Sequence, residues 1–221
     1  MQAGISTSYT YKMKNTIRYK PKRLKEYDYS YPGAYFITIC IDDRKCLFGD
    51  VVSGKMILNK LGKIADKCLI NIPAHFKNTE IPIHVVMPNH VHAVVNIYES
   101  DIAIDNMVGG RYICHLQEEG LPKGIPERRQ NQRLPVMIGT YKAAVSREIN
   151  KLYKDVRFKW QRYYHDHIIG TEKALENIYN YIINNPYNWR VDLENEEYLK
   201  TLTGKEREKK AKNFYKGLTG K

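Results

Sequence analysis

EIPIHVVMPNHVHAVVNI, residues 80–97, decides the fold. It reads as two strands, 80–87 and 90–97, rich in β-branched residues. Pro88-Asn89 between them is a turn-forming dipeptide. Upstream, GAYFITICID (33–42) is a third strand, and DVVSGKMIL (50–58) folds back about Ser53-Gly54 as a hairpin. NKLGKIADKCLIN (59–71) places Leu61, Ile64, Ala65, Cys68 and Leu69 at helical spacing, with Asn59 as N-cap and Pro73 as the stop. Downstream, residues 135–153 resume helical spacing, and 156–169 are strand-like. Residues 171–185 form a helix capped by Thr171 and ended by Pro186. Residues 99–133 lack a period and hold several Gly and Pro, so they read as a long loop or insertion. This order implies an α+β sandwich, an antiparallel sheet covered by helices on one face.

The composition narrows the function classes. The chain has 221 residues, long enough to bury its own core. No apolar run approaches the roughly 18–20 residues of a membrane span. MQAGISTSYTYKMKNTIRYK at the start has no apolar signal region, so a cytoplasmic location is expected. Cys40, Cys46, Cys68 and Cys114 form no CxxC pair and are expected to be free thiols. The net charge is +12, and it is not spread evenly. Residues 12–25 carry seven bases, including Lys20, Lys22 and Arg23, and no acid. Residues 205–221 carry seven bases, including Lys209 and Lys210, against two acids. Elsewhere bases and acids balance. The expected organisation is a basic arm (1–26), a globular domain (27–192) and a basic tail (193–221). Such arms suit a polyanion, because each phosphate neutralised releases a counterion, and nucleic acid is favoured over the alternative of solubilising tails.

Three sets of residues can carry chemistry. In a strand, residues two apart share a face, so His90 and His92 point the same way and can hold one metal ion. Two ordinary strand-end histidines have the same spacing. Tyr181 and Asn185 are four apart and share a helix face, beside the apolar stripe of Leu175, Ile178, Tyr179 and Ile182. The Asn185 amide oxygen is a hard ligand; in a chain with 18 tyrosines a given Tyr is more often packing than nucleophile, and Asn185 before Pro186 also reads as a plain helix-end residue. WQRYYHDH (160–167) holds a second His-x-His around Asp166, which is either another metal site or a DNA-contacting strand with Arg162 toward phosphate. No phosphate-binding glycine loop, GxSxG elbow or kinase signature is present.

Together these segments resemble the REP-associated tyrosine transposases, a branch of the single-tyrosine HUH transposases. The resemblance is carried by VVMPNHVH (85–92), WQR (160–162), HII (167–169), YIINNP (181–186) and Trp189, in the family's order. GAYFITICIDDRKCLFGDV (33–51) resembles its first strand and hairpin. Coverage is roughly residues 30–190. The resemblance implies a ferredoxin-like (RRM-like) fold. It implies His90, His92 and Asn185 as ligands of a divalent metal, Mg²⁺ or Mn²⁺, and Tyr181 as the nucleophile. The implied activity is cleavage and rejoining of single-stranded or hairpin DNA through a 5′-phosphotyrosine, by a monomer or homodimer in the bacterial nucleoid. Gly170 stands where the family commonly has a base. The competing readings are a non-catalytic nucleic-acid-binding protein on the same fold, another HUH nuclease, and a metal-dependent hydrolase drawing on His90, His92, His165 and His167.

Overall fold

A computed structural model describes residues 32–98, 133–155 and 157–219. Lys20, Lys22, Arg23, Cys114 and residues 99–132 lie outside the described residues.

Six strands form two sheets. β1 (Gly33–Cys40), β4 (Thr79–Val86), β5 (His90–Ile97) and β6 (His165–Ile169) make a four-stranded sheet in the order β4-β5-β1-β6, and every neighbouring pair is antiparallel. β2 (Gly49–Val52) and β3 (Lys55–Leu58) form the expected separate hairpin. β1 and β4 run the same way with β5 between them, so the helix joining them must cross the sheet. The same holds for β5 and β6 across β1. Two such interleaved crossovers are the ferredoxin-like arrangement, and the α+β class is as expected.

The crossover helices are α1 (Lys60–Ile70) and α3 (Arg133–Leu152), with a single turn, α2 (Ile72–His75), after α1. Asn59 caps α1 through its side-chain oxygen, which accepts from the N–H of Leu61 (2.9 Å) and of Gly62 (3.0 Å). Gly62 is required by close approach: a Cβ there would collide with the Phe48 carbonyl. Pro73 does not stop α1. The helix already ends at Ile70, and Pro73 sits in the first turn of α2, where its missing N–H leaves no intrahelical bond unmade.

Two further expectations are corrected. Of the strand-like 156–169, only His165–Ile169 joins the sheet, and Trp160 adds one isolated bridge to Ile41. Phe158 and Trp160 instead cluster with Phe48 and Tyr141, and the indole N–H donates to the Lys142 carbonyl at 3.1 Å. Aromatic packing here overrides alternation. The next helix, α4 (Glu172–Asn188), runs through Pro186, because a proline in the last turn forfeits only one backbone bond. α5 (Glu196–Lys200) and α6 (Gly204–Thr219) follow, so the stretch read as a basic tail is largely helical.

The helices divide between the two faces rather than covering one as expected, because Phe36 and Val94 give the second face an apolar patch of its own. α1 and α3 pack on Tyr35, Ile37, Ile39, Val91, Ala93 and Val95 to make the main core. α4 and α6 lie on the other face, where Phe36 and Val94 meet Ile178, Ile182 and Leu218. This second layer positions the site. Cys40, Cys46 and Cys68 are free thiols. No helix among the described residues is long and apolar enough to cross a membrane.

Candidate functional site

β5 turns Val91, Ala93 and Val95 into the main core and therefore turns His90 and His92 toward α4. Both histidines are buried, with ring centroids 4.4 Å apart. Thr38 faces His92 across the ladder, and its hydroxyl lies 2.9 Å from Nδ1. Phe36 stacks on the His92 ring at 5.3 Å. Asn89, in the turn before β5, holds His90 Nδ1 at 2.8 Å from its Oδ1. The Asn89 amide also donates to the carbonyls of Arg44 (3.1 Å) and Glu194 (2.8 Å), tying three segments to one corner of the sheet.

α4 brings Tyr181 and Asn185 over the histidines. Tyr181 Oη is 2.9 Å from His92 Nε2 and donates to Asp192 Oδ2 at 3.1 Å. The Asn185 amide donates to the same Oδ2 at 2.7 Å. Asp192 Oδ1 accepts the Glu194 N–H at 2.6 Å, which fixes the carboxylate plane. His90, His92 and Asp192 each offer a donor atom within 4.8 Å of the others. They are the one group of three His, Cys, Asp or Glu residues so placed among the described residues. Two buried atoms beside them, His90 Nε2 and Asn185 Oδ1, make no hydrogen bond while His90 is neutral; the Asn185 side chain would accept from the ring only if it were protonated. Each such atom costs about 1–3 kcal/mol unless something supplies the missing contact. A divalent cation would use a lone pair on each, so these residues fit a metal ion.

The charge states suit that role. Burial and the Arg44 guanidinium bring His90 down to about 3, and burial with the adjacent His90 holds His92 well below its ordinary value. Both rings are therefore neutral, the form that ligates. Burial raises Tyr181 well above the ordinary tyrosine value, and the negative charges of Asp192 and Glu194 raise it further. The phenol is held protonated. Arg44 pairs with Glu194 at 2.6 Å, and burial nonetheless lifts the Glu194 carboxyl above its ordinary value.

No protein-family model matches the sequence. An uncharacterised protein of Haemophilus influenzae Rd is 37% identical over 170 residues, covering 77% of this chain and 89% of that protein. The chain belongs to the family of that Haemophilus protein. Two solved structures are similar at 16% identity. A REP-associated tyrosine transposase bound to a REP hairpin has a TM-score of 0.44, covering 76% of this chain and 73% of that one. A candidate transposase from Deinococcus radiodurans R1 has a TM-score of 0.36, covering 74% and 96%.

The residues picked from sequence fall into two groups. His90, His92, Tyr181 and Asn185 converge on one point. Arg162 does not join them: it is exposed, with its guanidinium 5.5 Å from the Tyr163 ring centre. Lys209 and Lys210 are exposed on α6, and Lys210 lies over the Tyr198 ring. In the second His-x-His, His165 and His167 pair with Thr38 and Phe36, whereas Asp166 pairs with Ile37 of the opposite face. Asp166 therefore cannot complete a site with them. Sequence reading missed Asp192 and Glu194. The available signal was an acidic residue seven positions past Asn185, close enough for the chain to return it to the helix end.

Proposed function

We propose that this protein is a metal-dependent, single-stranded DNA nuclease and strand-transferase that uses Tyr181 as its nucleophile. The observation that carries the reading is the Tyr181 hydroxyl, held between His92 Nε2 and Asp192 Oδ2 beside the two unpartnered atoms of His90 and Asn185. The motif resemblance and the basic α6 support DNA as the substrate.

His90, Asp192 and Asn185 would hold the ion, and His92 would join them once Tyr181 Oη gives up its contact with Nε2. Two imidazoles with a carboxylate and an amide suit Mn²⁺ better than Mg²⁺. The ion supplies Lewis-acid polarisation of a non-bridging phosphate oxygen. The chain's own residues do the rest. Tyr181 Oη forms a bond to phosphorus as the bond to the 3′-oxygen breaks, and the electron pair leaves with that oxygen, which takes a proton from solvent and becomes a 3′-hydroxyl. Because the phenol is held neutral, it gives up its proton during attack, and Asp192 Oδ2 is the acceptor in contact. Thr38 and Asn89 fix the two imidazole rings, and Asn185 orients the Asp192 carboxylate. The 5′-phosphotyrosine conserves the phosphodiester bond, so another 3′-hydroxyl can reverse the step and join new ends.

The test is a denaturing gel after incubation with labelled hairpin DNA and Mn²⁺. A metal-dependent covalent band absent from Tyr181→Phe is expected. An adduct that survives in Tyr181→Phe removes Tyr181 from the role. Cleavage without any adduct favours a hydrolase, and binding without cleavage a non-catalytic module.

A further inference from the structure

We propose that a cavity beside the histidine pair binds one unpaired nucleobase of the DNA strand, adjoining the phosphate under attack. The proposal rests on the DNA-cleavage reading above. The cavity, about 370 Å³, lies between the β2–β3 hairpin and the end of α4. Its walls include Val51, Gly54, Pro186, Tyr187, Trp189 and Arg190. That volume is at the small end for ligand sites and suits one aromatic ring rather than an extended molecule.

Two aromatic rings, Tyr187 and Trp189, stand in the walls. Gly54 occupies the hairpin turn with φ +75°, a conformation that favours glycine, and a Cβ there would lie 3.0 Å from Tyr187 Cδ2. The bare turn thus supports one edge of Tyr187 while the side chain stays 79% exposed. Trp189 joins the cavity to the site: its ring centroid is 6.0 Å from that of His90. A ligand between Tyr187 and Trp189 would therefore lie one ring, that of Trp189, away from His90. Arg190 adds a guanidinium at the rim, and none of the lining residues is acidic. Aromatic faces with one cation and no carboxylate match a base and its phosphate: the base stacks, and Arg190 takes the phosphate. Continuity with the nucleophile favours this occupant over an apolar peptide, which has no use for the guanidinium.

The experiment uses the full chain with Mn²⁺ and hairpin oligonucleotides with short single-stranded flanks, carrying photoreactive iodouracil at one flank position at a time. Expected is a cross-link from one position to Tyr187 or Trp189, located by peptide mass mapping. Removing that base and introducing Tyr187→Ala should each weaken binding on the order of tenfold, the effect of losing one stacked base. The two losses should not add, and Tyr187→Phe should bind like wild type because it keeps the ring face. Tyr187 is exposed enough that the alanine variant should melt with the wild type, and a melting curve verifies it. If cross-links map elsewhere and Tyr187→Ala binds every oligonucleotide normally, the pocket assignment fails while the DNA reading stands. If no oligonucleotide binds at all, both fall.

Discussion

Val91, Ala93 and Val95 on one side of β5, and His90 and His92 on the other, are interleaved in one strand yet live in different chemistry. The first set, three aliphatic side chains with no polar atoms of their own, packs against α1 and α3 in the main core. The second is as deeply buried but carries ring nitrogens, one of which has no partner. Burial on the first side contributes stability. Burial on the second withholds solvent from groups that would be more stable wet, which is the usual cost of a preorganised site. The sheet separates the two demands by one pleat.

That contrast can be broken by substitution. The largest effect expected is from His90→Leu, which should abolish Mn²⁺ binding in a calorimetric titration. It should change the melting temperature of the chelator-treated protein little, since it removes the orphaned Nε2 but leaves the buried Asn89 Oδ1 without its partner. A marked drop in that melting temperature would deny the contrast. On the other face, Ile37→Ala should cost about 2–5 kcal/mol in urea unfolding through the cavity it leaves, with Mn²⁺ affinity unchanged while the protein is folded. Thr38→Val should weaken Mn²⁺ binding about 10–100-fold by freeing the His92 ring, with only about 1 kcal/mol lost in stability.

Acid sharpens the same comparison. The folded values of His90 and His92 lie below 6.5, the ordinary histidine value. Between the two values the unfolded chain binds protons that the folded chain refuses, so stability present above about pH 6.5 is lost as pH falls. Metal-free protein should therefore show a falling urea midpoint from about pH 7 to pH 5, and His90→Leu should show a smaller fall. The smallest effect belongs to Asn59→Ala, which removes the α1 cap and should cost about 1 kcal/mol without touching the site.

Much of this was legible in the sequence because it obeys a period. The two-residue repeat puts His90 with His92, and the four-residue helical step puts Tyr181 with Asn185. Asn59 and Thr171 announce their helices by side-chain chemistry alone. What was not legible has no period. Asp192 reaches Tyr181 only because a short turn at Trp189–Val191 brings the chain back over the end of α4. Glu194 is conspicuous only through Arg44, which lies far from it in sequence. Phe214 packs edge-on to Tyr181 at 4.8 Å from a helix whose composition suggests a solvated tail. Pro186 misled because its local preference is to end a helix, and packing of Ile178 and Ile182 beneath it carries the helix on.

The order of these parts along the chain has a consequence for synthesis. The four-stranded sheet is complete once Ile169 has been made, and the imidazole pair and its threonine are already in register. The carboxylate comes later, at Asp192, and the ring that flanks the tyrosine later still, at Phe214. A chain ending after Ile169 would thus hold every strand of the sheet without the full donor set.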